Sequence, residues 1–226
     1  MSKSSLEIKE LIIILVGSFN PVIFHPQWLV RKGLIREGEA EAAKPKINHP
    51  EISEFDLDYC SIQVLPHRFS ITSTQEDGFV LMRDLVANIF ESLPESHIVQ
   101  LGINLHHHYK FPDKEEYIEF GHQIIPKEQL WGQVLTNPLL LKVNIQGERT
   151  DDNNGKIGVT VKTSDKINEY GVEIQINDHY NLLSKGEENK VDASRAVQIL
   201  RKEWDNSLKH SEEILNKVYD YGISTD

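Results

Sequence analysis

Two stretches of strict alternation constrain this chain more than anything else in it. Residues 99–109 read VQLGINLHHHY and residues 171–180 read GVEIQINDHY. A period of two, apolar then polar, is that of a strand with one buried face. In the first stretch Val99, Leu101, Ile103 and Leu105 share one face, and Asn104, His106 and His108 share the other. In the second, Val172, Ile174 and Ile176 oppose Glu173, Gln175, Asn177 and His179. The pattern predicts an antiparallel sheet with one oily face and one face of carboxamides and imidazoles.

The rest of the chain fits around such a sheet. Residues 11–16 are apolar at every position and read as a central strand, after a polar lead-in over residues 1–10. Pro21 breaks that strand, and residues 27–32 read as a short helix opened by Pro26 and closed by Gly33. Residues 37–52 carry Glu, Ala and Lys with Pro45 and Pro50, and are expected to be an exposed loop. Strands follow at 58–65 and 68–72. A helix capped by Thr74 and Asp77 runs to residue 93, and a second, capped by Asp113 and Glu116, runs to about residue 120. Residues 125–137 are ambiguous. Further strands are expected at 139–147, 156–162 and 171–182, joined by hairpin-like connectors at 150–155 and 164–170. Residues 193–221 read as one long helix of about 45 Å, with Gly222 as its C-terminal cap.

The fold class is therefore α+β: a largely antiparallel sheet with helices on one face and a long C-terminal helix, in a single domain over residues 1–226. A faint repeat divides it into β-rich halves at about 10–98 and 99–226. Val16-Gly17-Ser18-Phe19-Asn20 matches Leu101-Gly102-Ile103-Asn104, and residues 62–67 match 174–179. Chance similarity between strands of like composition is the alternative.

Composition narrows the function classes. The 226 residues carry a net charge of −11, which argues against nucleic-acid binding through Lys and Arg. The longest apolar run, residues 11–16, is far short of the ~20 residues that span a bilayer, so no membrane partner is expected. No small-residue cleavage site follows that run, so no secretory leader is expected. Cys60 is the only cysteine, which leaves no intramolecular disulfide and points to a reducing cytoplasm. No G-x-S-x-G, P-loop or G-x-G-x-x-G occurs, and no cofactor is expected.

Three candidate sites remain. His106 and His108 leave one strand face together and could share a metal with His179, with Asp178 or Asp113 as oxygen donors; hydrogen-bonded or wet histidines at a strand end are the alternative. His107 points the other way, to the core margin. The polar face as a whole, with Asn104, Gln175 and Asn177 at its centre, could hydrogen-bond a partner or simply be solvated. A rim of Asn20, Phe24 and Trp28 offers large side chains near a turn, whose alternative role is core packing.

Two resemblances accompany these readings. Residues 11–25, a buried strand running into Gly17-Ser18-Phe19-Asn20-Pro21, resemble the opening of the nucleotidylyltransferase superfamily, which implies ATP binding on a parallel α/β sheet. The family's phosphate-contacting positions are here Ile23 and Pro26, and His25 sits between them. The closing residues 222–226 echo that family's late Ser/Thr motif without its basic residue. The strand at Leu101-Gly102-Ile103-Asn104, the tract Asn177-Asp178-His179-Tyr180 and the closing helix with His210 resemble a poorly characterised, sporadically distributed bacterial α+β family. That resemblance implies a cytoplasmic protein from mobile or defence-related neighbourhoods and transfers no catalytic residue. Val218 or Tyr219 stands where the family has phenylalanine.

The leading expectation is a non-catalytic interaction protein whose polar sheet face contacts a protein partner or another copy of itself. The alternatives are a metal-assisted enzyme using His106, His108 and His179, and a nucleotidyltransferase-like ATP binder.

Overall fold

A computed structural model of the chain describes residues 4–125, 130–149, 151, 153–183 and 192–224. The chain opens with strand β1 (Ser5–Gly17), which takes in much of the expected lead-in. A turn of 3-10 helix (Pro21–Ile23) leads to α1 (Pro26–Arg31), where His25 Nδ1 accepts from Trp28 N at 3.2 Å and Gly33, at φ 68°, closes the turn. The expected loop at 37–52 instead forms α2 (Glu37–Ala42) and strand β2 (Lys44–His49). Every residue of β2 is exposed, so it carries no alternation to betray it; with Pro45 it is an edge strand. Next come β3 (Ile52–Leu57), β4 (Cys60–Leu65), β5 (Arg68–Ser73) and α3 (Gly78–Glu91). The Thr74–Asp77 capping box does not form: Asp77 makes no side-chain cap bond, and Ser73 Oγ accepts from Gln75 N instead.

The second half repeats the alternation of layers with β6 (Ile98–Lys110), α4 (Lys114–Ile124), α5 (Trp131–Val134), β7 (Lys142–Glu148), β8 (Gly155–Thr163) and β9 (Gly171–Asn181). Asp113 caps α4 by accepting from Glu116 N at 2.9 Å. Residues 126–129 of the ambiguous segment, and Thr150 and Asp152 of the expected connector, lie outside the described residues. The long closing helix is two: α6 (Ser194–Lys202) and α7 (Trp204–Ile223), separated at Glu203. Neither Gly nor Pro marks the break. The two segments pack on different neighbours, α6 on α3 and β6, α7 on α4, β6 and β9, and Trp204 is buried at the junction. Gly222 is not a cap. It lies within α7, where a Cβ would stand 2.2 Å from Phe120 Cε2, so the glycine is a notch for that ring.

Among the described residues the strands form one antiparallel sheet in the order β2-β3-β4-β5-β1-β6-β9-β8-β7. The chain is α+β, as its alternation implies. The parallel α/β sheet of the nucleotidylyltransferases is not what it builds, and His25 is spent on capping α1. Read outward from the β1–β6 pair, each half places its first strand centrally and returns its last strand beside it. The matched segments 62–67 and 174–179 do not occupy equivalent strands, however: the first is on β4, one strand out from β5, and the second on β9 beside β6.

Helices α3, α6 and α7 cover one face of the sheet, with α4 against α7. Leu11, Ile13 and Leu15 of β1, Leu101, Ile103 and Leu105 of β6, and Ile174 and Ile176 of β9 are buried beneath them. At one end, Phe19, Phe24, Phe69 and Phe90 pack ring on ring, the closest pair, Phe69 and Phe90, at 5.2 Å. Phe24 is 2% exposed, which places it in the core and not on a contact rim. At the other end Tyr109 stacks on Tyr219 at 4.1 Å.

Candidate functional site

The register decides which polar side chains meet. Residues directly opposite one another in an antiparallel ladder point to the same face. Across β1, β6, β9 and β8 one row reads Ile8, His108, Glu173, Lys162; the next Glu10, His106, Gln175, Thr160; then Ile12, Asn104, Asn177, Gly158; then Ile14, Gly102, His179, Lys156. All four rows face away from the helix layer. Asn104, His106, His108, Gln175, Asn177 and His179 therefore lie on one surface. Asn20 and Trp28 do not join them: Asn20 accepts from Val22 N at the head of the 3-10 turn, and the Trp28 ring sits 5.6 Å from Phe24.

Two neighbourhoods divide this surface. The first is a cleft of about 510 Å³ whose walls are Gln100, Asn104, Gln146, Asn177, His179 and Asn181 beside Ile14 and Val16. Gly102 and Gly158 form its floor because they carry no side chain to fill it; a Cβ on Gly102 would meet Asn104 Nδ2 at 3.1 Å. Among the described residues, Lys156 and His179 are its ionisable groups and no carboxylate lines it. Burial, then the charges of Lys156 and Arg149, holds the His179 imidazole below its ordinary pKa, so it is neutral at pH 7. Asn104 is anchored by donating Nδ2–H to the Ile12 carbonyl at 3.1 Å.

The second neighbourhood is charged and largely buried. Glu173, 2% exposed, accepts from Gln175 Nε2 and lies 3.1 Å from His106 Nδ1 and 2.8 Å from Lys162 Nζ. Burial pushes its carboxyl up, but these donors outweigh it and hold the pKa at about 2. Glu10 lies 3.7 Å from His106 Nδ1 and 2.6 Å from Lys166 Nζ. His108 is fully buried; its Nδ1 meets Ser164 Oγ at 2.8 Å, and its Nε2 has no hydrogen-bond partner among the described residues.

His179 does not share this cluster. It stands opposite Gly102, four residues along β9 from Gln175, the partner of His106, a distance of about 13 Å along the strand. The expected triad of His106, His108 and His179 is thus two sites. Nor does Asp178 serve as an oxygen donor here, because alternation turns it to the helix layer. There it is held by Arg149, by Ser207 Oγ–H at 2.5 Å and by Tyr180 O–H at 3.2 Å. Asp113 is spent on capping α4. His107 faces the core, its Nδ1 3.1 Å from Tyr109 Oη, and burial pushes its pKa down to about 4. Cys60 is buried with its thiol pushed up to about 12 by burial, next to Asp56 and Glu39, which makes it a poor nucleophile.

Glu10 and Ser164 are the site residues that sequence reasoning missed. Glu10 was hidden in a lead-in that is already strand, and Ser164 lies just past β8. One signal was available: Glu10 continues the even-numbered phase of Ile12, Ile14 and Val16.

The described residues build an α+β protein on one antiparallel sheet with a polar surface opposite its helices. No protein-family model matches the chain, and no curated protein matches it significantly. No described helix is long and apolar enough to cross a membrane.

Proposed function

We propose that this chain is a non-catalytic binding protein whose open sheet face receives an extended segment of a protein partner. The observation that carries this reading is the glycine-floored cleft walled by carboxamides. A carboxamide presents a donor and an acceptor in the geometry of a peptide unit, so a row of them matches the main chain of an extended segment. Beside that row runs a half-buried strip of Ile12, Ile14 and Val16, suited to the segment's apolar side chains. No aromatic ring of the described residues lines the cleft, which gives bases no stacking platform there, and the net charge of −11 repels phosphate. Self-association is a second reading, favoured by β7, whose outer edge is unpaired among the described residues and whose Ile145 is 64% exposed. A reducing cytoplasm suits the solitary, buried Cys60.

Selection of phage-displayed linear peptides on the immobilised chain tests the proposal. Enriched peptides are expected to lose about tenfold or more in affinity on Asn177→Leu or Gln100→Leu, because each change strands a hydrogen-bonding group of the peptide. Asn177 is exposed, so its replacement leaves the fold intact. Absence of any enriched peptide, or affinities unmoved by both changes, would overturn the reading.

A further inference from the structure

We propose that His106, His108, Glu173 and Glu10 form a binding site for a divalent transition-metal ion, at the end of the open face away from the amide cleft. The proposal does not depend on the peptide reading.

The geometry comes first. Glu173 Oε1 lies 3.1 Å from His106 Nδ1 and 3.8 Å from His108 Nε2, and Glu10 Oε2 lies 3.7 Å from His106 Nδ1. Ligand atoms at ~2.1 Å from a tetrahedral ion are about 3.4 Å apart, so these three separations already suit atoms bound to one ion. The ligand atoms of Glu10, His106 and His108 all lie within 4.8 Å of one another, as do those of His108, Asp165 and Glu173. The strand ladder holds them there: His108 and Glu173 are directly opposite across β6 and β9, as are Glu10 and His106 across β1 and β6.

The second observation is His108 itself. It is 0% exposed, and its Nε2 faces the Glu173 carboxylate with no hydrogen-bond partner among the described residues. A buried ring nitrogen left unpaired is destabilising, and coordination would satisfy it. In the tautomer that metal binding requires, Nδ1–H donates to Ser164 Oγ and Nε2 presents its lone pair to the cluster. Ser164 is in turn fixed by the backbone N–H groups of Lys166 and Ile167.

The donor set selects the ion. Two imidazoles with two carboxylates suit Zn²⁺, Fe²⁺ or Mn²⁺ better than Ca²⁺ or Mg²⁺. Without an ion, Lys162 and Lys166 balance the two carboxylates. Their side chains are 26% and 36% exposed on flexible stems, so both ammonium groups can swing to solvent as an ion enters. Ammonium and metal thus compete for Glu173 and Glu10, and this predicts an unusual sign for one variant.

The test is equilibrium dialysis of the chelator-stripped chain against Zn²⁺, with Co²⁺ absorption reporting ligand geometry. The intact chain is expected to bind one equivalent of Zn²⁺ that a chelator removes. Affinity should fall about a hundredfold in His108→Gln and Glu173→Gln and remain unchanged in His179→Gln. Lys162→Met should tighten binding about tenfold, a gain that misfolding cannot mimic. An intact chain that takes up no stoichiometric Zn²⁺ overturns the proposal. So does uptake that His179→Gln abolishes, or that Lys162→Met weakens or leaves unchanged.

Discussion

Arg149→Met is expected to cost the fold about 3–5 kcal/mol, the usual price of leaving one partner of a buried ion pair alone. The Arg149 side chain is 7% exposed and that of Asp178 2%. The guanidinium grips Asp178, bonds both oxygens of Asp151 at 2.9 and 2.6 Å, and lies 3.9 Å above the Tyr180 ring. Beside it, the Asp151 carboxyl is held at about 2, with the hydrogen bond from Arg149 as the main cause. Once Arg149 is gone, the buried charge of Asp178 keeps, among the described residues, the neutral donors Tyr180 and Ser207. Replacing both charges, Arg149→Met with Asp178→Leu, should recover most of the loss, because removing a buried pair outright is often neutral. Urea denaturation of the two single variants and the double variant measures this. A loss below about 1 kcal/mol for Arg149→Met would mean the pair is solvated and not part of the core.

Phe24→Ala should cost about 3–5 kcal/mol and leave peptide affinity unchanged. Its ring lies 5.6 Å from Trp28, 5.8 Å from Phe69 and 6.4 Å from Phe90, and removing it opens a cavity in that aromatic cluster. A contact residue on a rim would behave in the opposite way, losing affinity while the denaturation midpoint stayed put. Denaturation and peptide binding measured on the same variant distinguish the two roles.

What was legible in the chain and what was not follows from how each residue acts. The alternation over 99–109 and 171–180 reports which side chains share a face, and so it gave the faces of β6 and β9 correctly, although Asn104, His108 and Glu173 of the polar face are buried as well. It also carried information that was passed over: Asp178 and Tyr180 continue the phase of Ile174 and Ile176, which turns that aspartate towards the helices and Arg149. Residues 11–16 are apolar on both faces, so nothing polar marks the outer face of β1, and only the even-numbered phase of Ile12, Ile14 and Val16 ties Glu10 to the polar surface. Strand β2 is exposed throughout and had no pattern to show. Helix ends misled for another reason. Gly222 has the residue type of a cap, but its use is set by Phe120, which is remote in sequence. The separation of His179 from His106 was equally hidden, because strand pairing, not spacing along the chain, places Gly102 opposite one and Gln175 opposite the other.

The rate of thiol alkylation at Lys156→Cys, with and without a saturating selected peptide, tests most directly whether the open face is the recognition surface. Lys156 is exposed on the cleft wall, and the native Cys60 thiol is too buried and too weakly acidic to compete. The engineered thiol is expected to react freely alone and about tenfold more slowly with peptide bound. A Glu213→Cys control on exposed helix α7 should react at the same rate in both states. An unreactive thiol at position 156 without peptide, or peptide protection at 213 in place of 156, would contradict the account.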